Sequence, residues 1–390
     1  MIGDRISPVE AGLNTSVLNE LDAEIAGFID SGKLPGAIVL IARHGKIGYL
    51  NTAGTMGVDR PEKMRSDAVF RIYSMTKPIT TAVALMLHEQ GAFALDDPVA
   101  RWLPTLQHMR LLDGSLMERE ITVRDLMCHT AGFTNTFASD PLAIQYRREK
   151  LGTGDLDRLV DVLGRMPLLH QPGERFQYSI ATDVLGKLIE IWAAAPLDRI
   201  FRERLFEPLG MVDTGFTIPD RLVESGRFTS NHTLRPDGSL VVTDAAETSR
   251  YRQAPERLAG ASGLVSTAAD YFRFGQLLLD AGLATSGRLL KAESVSLMTS
   301  NQLPESAFPV GVMHPLPGLG FGLGMSVRVA SHQDTDPGAP VGECGWGGLA
   351  GTHFWISPAH GLLVITLRQT LPYGTRFENV LKPVIYRALL

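Results

Sequence analysis

The sequence predicts an α+β protein in which an antiparallel sheet, built from both ends of the chain, carries an inserted, mainly helical region. Three observations carry this. Short β-rich runs occur near residues 37–53 and again after residue 318. The stretch between them reads as helices that end at Gly or Pro. Helical periodicity returns near both extremes, over 16–29 and from Arg376 onward. The expected division is an α/β domain from residues 1–73 and 256–390, flanked by the two terminal helices, and a helical domain from 74–255.

Each element has its own signal. Val17, Leu21, Ile25 and Phe28 recur at helical spacing. "PGAIVLIARHGKIGYLNTAG" then reads as two strands, Ala37–Ala42 and Ile47–Ala53, joined by a tight His44-Gly45 turn. In "FRIYSMTKPITTAVALML", Pro78 has no N–H to give, and its ring crowds the carbonyl of Ser74. Proline fits only a first turn, so a helix must start within a residue or two of Ser74 and stop at Gly91. Further helices follow in "ITVRDLMCHTAG", "ATDVLGKLIEIWAAA" and "LDRIFRERLFEPLG". Thr267 and Asp270 are spaced as a capping box at the head of "YFRFGQLLLDAG". After residue 318, "LGFGLGMSVRV", "AGTHFWIS" and "GLLVITLR" are strand-like runs, separated by turns such as Pro358–Gly361.

Bulk composition removes several classes of function. The 390 residues are 44% apolar and 20% charged, an ordinary globular mixture. The net charge of −5, with Lys and Arg scattered, argues against nucleic-acid and anionic-membrane partners. "MIGDRISPVEAGLN" lacks a basic stretch followed by an apolar core, and no apolar run approaches a bilayer's span. Two cysteines, Cys128 and Cys344, make no disulfide framework, which fits a reducing compartment. The expectation is a cytoplasmic protein, monomeric or homodimeric. The ten histidines show no metal-ligand spacing, so neither a metal nor a cofactor is expected.

Ser74 and Lys77 form the one Ser-x-x-Lys in the chain. Three residues apart on adjacent turns, their side chains can meet. A serine hydroxyl is a poor nucleophile until a base removes its proton, and a neutral lysine one turn away can be that base. The helix start adds free N–H groups and positive potential for a developing oxyanion. Tyr178 lies on a turn before the helix that runs from Val184 to Ile191, and Trp346-Gly347-Gly348 sits at the edge of a probable strand. Cys128-His129 is adjacent in sequence, but neighbours on a helix point apart, so a packed thiol is the better reading than thiol catalysis. Cys344 is read the same way. No Gly-x-Ser-x-Gly is present, against an α/β-hydrolase elbow.

Taken together, "PGAIVLIARHGKI", "FRIYSMTKPIT", "ITVRDLMCHTAG", "PGERFQYS", "FEPLGMVDTGF", "GASGLVSTAADYFRF" and "WGGLAGTHFW" resemble the serine β-lactamase and penicillin-binding-protein superfamily, in that family's order. Within it the chain looks most like the class C β-lactamase-like esterases, the family VIII carboxylesterases. The resemblance implies a β-lactamase/transpeptidase-like fold with the active site at the domain junction. Ser74 matches the nucleophile, Lys77 its lysine partner and Tyr178 the tyrosine of Tyr-x-Asn. Trp346-Gly347-Gly348 takes the place of Lys-Thr-Gly. The implied oxyanion hole is the backbone N–H of Ser74 and of Leu349.

Two departures shape the expected substrate. Tyr-x-Asn has become Tyr178-Ser179-Ile180, removing the amide that would bond a lactam or peptide side chain. Lys-Thr-Gly has become Trp-Gly-Gly, replacing a cation with an aromatic wall. Both favour a neutral small-molecule ester with a short or medium acyl group over a β-lactam. Acyl transfer through the same acyl-serine is the alternative, with β-lactamase or D-amino peptidase activity behind it. A relative that binds ligands without turnover is the weakest reading, since Ser74, Lys77 and Tyr178 are all present.

Overall fold

The apolar run of the first strand is buried on both faces at the centre of a sheet. In the computed structural model, which describes residues 5–312, 314–372 and 374–390, Gly36–Arg43 forms β1 and Lys46–Gly57 forms β2. His44 and Gly45 between them have φ of 50° and 75°, the paired positive angles that match a two-residue turn to the twist of a hairpin. On its other side β1 pairs with Leu362–Arg368 (β14), with Ala37 opposite Arg368. Chain segments from opposite ends therefore meet at the middle of the sheet.

The remaining strands of this sheet are Arg60–Lys63 (β3), Leu319–Phe321 (β10), Ser326–Arg328 (β11), Cys344–Gly347 (β12) and His353–Ser357 (β13). The order is β10-β11-β12-β13-β14-β1-β2-β3, and every neighbouring pair is antiparallel. Alternation along β1 sends Val39 and Ile41 to an outer face and Ile38 and Leu40 to an inner one. The outer face is covered by α1 (Thr15–Asp30) and α12 (Arg376–Arg387), through Leu21, Ile25, Leu381 and Ile385. The inner face packs on Tyr271 and Phe274 of α10 (Ala268–Leu279), and the same core continues to Ile79 and Val83 of α2 (Thr76–Glu89). Next to the two outer helices, the Asn14 N–H donates to Ala388 O (2.8 Å) and the Leu390 N–H to Gly12 O (2.9 Å). Arg43 Nη1 donates to both Gly12 O and Leu390 O.

Pro78 does fall in the first turn of a helix: a 3₁₀ turn over Tyr73–Met75 leads into α2. Every residue of α2 from Thr76 to Leu87 is buried, which explains an apolar composition wider than one stripe. α6 (Ala181–Ala193) packs on it, α3 (Val123–Cys128) and α5 (Leu156–Leu163) pack on α6, and α4 (Pro141–Arg148) joins the same core through Leu142 and Tyr146. The next helical stretch, Leu197–Leu209, is continuous but widens into a π turn at Arg202–Phe206. Among the described residues no helix is long and apolar enough to cross a membrane.

Two features differ from the sequence reading. Residues 74–255 also hold a hairpin, Asn231–Leu234 (β5) and Leu240–Asp244 (β6), which pairs with Thr370–Leu371 (β15) in a small separate sheet. Its turn, "RPDGS", carries the Pro, Asp and Gly that mark such bends. The expected capping box at α10 is half present. Thr267 Oγ1 accepts from the Asp270 N–H (3.1 Å), but the Asp270 carboxylate accepts from the Asp213 N–H and the Thr214 hydroxyl instead. A full box forms at α3, between Thr122 and Asp125.

Candidate active site

Ser74 lies where the short strand Val69–Arg71 (β4) turns into α2. The turn is tightly held. Arg71 is fully buried, donates to Asp244 Oδ2 (2.6 Å) and Thr229 O (2.6 Å), and lays its guanidinium over the Phe228 ring. Tyr73, just before Ser74, has φ of +43°, an angle that costs an aromatic residue about 1–2 kcal/mol. Its hydroxyl is anchored by Asn231 Nδ2 at 2.8 Å. The left-handed residue reverses the chain so that Ser74 heads α2 with its side chain in a cavity.

The structure brings Ser74, Lys77 and Tyr178 together. Tyr178 O–H donates to Ser74 Oγ at 2.8 Å. Lys77 Nζ donates to the same oxygen at 3.3 Å and to Ala261 O at 2.9 Å. It also stands 4.6 Å from the centre of the Tyr178 ring. Lys77 and Tyr178 are both buried, and Ser74 is half-buried. Among the described residues no carboxylate pairs directly with Lys77. A buried acid acts at one remove: Asp183, in the first turn of α6, accepts from the Ala261 N–H at 2.9 Å. Burial raises the Asp183 carboxyl above its usual range.

Trp346 on β12 is buried, its ring 5.4 Å from Tyr178 and edge-on to Phe321 at 5.2 Å. After the strand ends, the Gly348 N–H donates to Thr352 O at 2.6 Å. A side chain at Gly348 would lie 2.4 Å from Ile72 O, so glycine is what lets this strand end press against the turn that carries Ser74. Leu349 follows on an exposed bend, and among the described residues its N–H donates to no protein acceptor. Ile180 donates its N–H to Thr134 O and presents its side chain to the same cavity. That cavity is about 1030 Å³, and its walls include Tyr73, Phe137, Tyr178, Ile180, Tyr251, Trp346, Gly347 and Leu349.

Several of these groups have no counterpart in the sequence reading. Asp183 carries a signal, a carboxylate on the buried face of an apolar helix. Phe137 sits on an irregular turn and Tyr251 in a single 3₁₀ turn, both too short to show periodicity, and the Ala261 carbonyl is a backbone group that no side-chain pattern announces. His129 closes α3 in a left-handed conformation, fully buried beside Tyr178. Burial and the Lys77 charge hold its imidazole well below the usual histidine range. Cys128 and Cys344 are free and buried, and burial pushes the Cys128 thiol up to about 12. Among the described residues no group of three His, Cys, Asp or Glu side chains could hold a metal ion.

Known proteins resemble this chain over most of its length. "Protein Rv1367c" of Mycobacterium tuberculosis is 35% identical over 375 residues, covering 90% of this chain and 89% of that protein. "Esterase EstB" of Burkholderia gladioli is 32% identical over 377 residues, 92% of each. Among solved structures, "EstCE1, a hydrolase with promiscuous acyltransferase activity" superposes with a TM-score of 0.81 at 28% identity, covering 95% of this chain and 99% of that one. The pattern of the Beta-lactamase family matches residues 21–381, and the chain belongs to that family.

Proposed function

We propose that this protein is a serine carboxylesterase acting on small esters through an acyl-serine. One observation carries the reading: Ser74 Oγ lies within hydrogen-bonding reach of both Lys77 Nζ and Tyr178 O–H in a cavity with apolar walls. Ser74 Oγ attacks the ester carbonyl while its proton passes to the Lys77–Tyr178 pair. The C–O bond to the alcohol breaks, and the leaving oxygen takes that proton. Water then attacks the acyl-serine, returns a proton through the same pair and frees Ser74. The N–H groups of Ser74 and Leu349 receive the carbonyl oxygen as its charge develops. The active site lies at the junction of two domains, with Ser74, Lys77 and Tyr178 from 74–255 and Trp346–Leu349 from the other.

Ile180 and Trp346 turn the site toward neutral esters of short to medium acyl chain, away from β-lactams. Leaving a lactam amide unpaired costs about 1–3 kcal/mol, and a lactam carboxylate facing an indole loses more. Esterase EstB, similar over nearly its whole length, supports the reaction class. Acyl transfer to an alcohol is the second reading, favoured by the acyltransferase activity in the description of EstCE1. A cytoplasmic location goes with this reading, supported by two buried cysteines that remain thiols.

The test is kcat/KM for p-nitrophenyl acetate, butyrate and a long-chain ester against nitrocefin, with and without an alcohol acceptor. Short esters should exceed nitrocefin by a wide margin. A serine-directed fluorophosphonate should add once, on the peptide containing Ser74. An adduct elsewhere, or full activity in Ser74→Ala, would sink the assignment.

A further inference from the structure

We propose that His129 is a positioning residue that fixes the Tyr178 phenol on Ser74. The proposal rests on the esterase reading above and adds to it a residue with no direct hold on Ser74.

His129 grips the chain on both sides of Tyr178. Its backbone carbonyl accepts from the Gln177 N–H at 2.8 Å. Its imidazole Nδ1 is hydrogen-bonded to Ser179 Oγ at 3.2 Å. Between these two clamps its ring meets the Tyr178 ring in an edge-on contact, 4.9 Å between centres at 60°. Phe321 backs the imidazole edge-on, at 5.5 Å between centres. Among the described residues the Tyr178 hydroxyl has one hydrogen-bond partner, Ser74 Oγ, and its direction depends on the three-residue turn that His129 brackets.

The bracket is itself rigid. His129 has φ of 57° and ψ of 38°, a left-handed close to α3. The start of α3 is pinned by the Thr122–Asp125 box. Its end is pinned by the Thr130 hydroxyl, which donates to Asp125 Oδ1 at 2.8 Å. In sequence Cys128 and His129 are neighbours, which suggests a thiol–imidazole pair. The fold instead sends Cys128 Sγ toward Gly322 O and the imidazole to Ser179. Lys77 and Tyr178 are the titratable groups facing the imidazole. Burial and the Lys77 charge keep it neutral, so it adds no second cation beside Ser74.

Three variants separate positioning from mere support. His129→Phe keeps the ring but removes Nδ1. His129→Asn places an amide where Nδ1 was and tolerates positive φ. Ser179→Ala removes the partner. For each, the measurements are kcat and KM for p-nitrophenyl acetate, the rate of fluorophosphonate addition to Ser74, the pH–rate profile and Tm. A displaced catalytic group is expensive, so His129→Phe should lower kcat and the labelling rate about 10-fold or more, with KM within about 3-fold. Ser179→Ala should move both in the same direction, the double variant should be no worse than His129→Phe, and His129→Asn should stay within about 3-fold of the parent. The pH midpoints should not move. Wild-type kcat in His129→Phe, equal losses in His129→Asn and His129→Phe, or a shifted pH midpoint would each overturn the proposal. If His129→Phe fails to fold, an unchanged kcat in Ser179→Ala overturns it alone. A parent enzyme that takes no label at Ser74 fails the esterase reading itself, whereas a labelled parent with equally fast variants fails only this inference.

Discussion

Lys77 and Tyr178 reach the same oxygen of Ser74, so their contributions should not add. Lys77→Ala and Tyr178→Phe are each expected to lower kcat by about 10²-fold or more, the scale for losing a positioned acid or base. The double variant should be little worse than either single one, because the proton path is already broken. Steady-state kinetics on one short ester decide this, and multiplied losses would argue for two independent roles. At this scale the sequence was legible wherever the chemistry resides in a side chain. Ser74, Lys77 and Tyr178 could be named because hydroxyl, amine and phenol are written in their letters and Pro78 fixes the helix start. The Ala261 carbonyl and the Leu349 N–H could not be read this way, since every residue has both groups and only the fold aims them. His129 was visible as a residue but not as a clamp, because its left-handed angle carries it off the helical face that sequence spacing assumes.

Among elements, α3 and α10 offer a controlled comparison. Thr122 both donates to and accepts from Asp125 in a full capping box, whereas Thr267 accepts a single bond from the Asp270 N–H. Thr267→Ala should cost about 1 kcal/mol, and Thr122→Ala should cost more, since the Asp125 carboxylate then loses a hydroxyl donor in a buried place. Urea denaturation reads both, and the order of the two midpoints is the result that matters. Thr122→Ala should also lower kcat, because α3 ends in His129. The sequence placed the long elements well: hydrophobic periodicity marked α1, α2, α6 and α12, and apolar runs marked β1, β2 and β14. It missed the β5–β6 hairpin because both strands are short and only partly buried, which leaves little alternation to detect. The π turn at Arg202–Phe206 is likewise invisible, because one extra residue in a turn changes spacing less than ordinary scatter does.

At the scale of the whole molecule, folding traps several histidines in their neutral form. Burial lowers the imidazoles of His129, His170 and His232, and takes His353 down to about 4. Through these four histidines the unfolded chain binds more protons than the folded one below about 6.5, and their contribution to stability falls as pH falls. The contribution is fully present above that value and is lost toward pH 4, with His353 alone worth roughly 3 kcal/mol. Denaturation midpoints measured between pH 7 and pH 4 should decline, and His353→Leu should flatten the slope. A midpoint independent of pH across this window would count against neutral burial. The global α+β plan was readable because β-rich runs stand at both ends of the sequence, but pairing was not: nothing in "PGAIVLIARHG" says that its partner is "GLLVITLR". That pairing leaves Gly12 and Leu390 side by side under one arginine, which makes the fold a natural candidate for circular permutation. A gene relinked there and reopened at the exposed Asp237-Gly238 turn would read β14, β15, α12, α1 and β1 consecutively. The most distant contacts of the present chain would become local ones, and the centre of the sheet could assemble without waiting for the rest of the sequence.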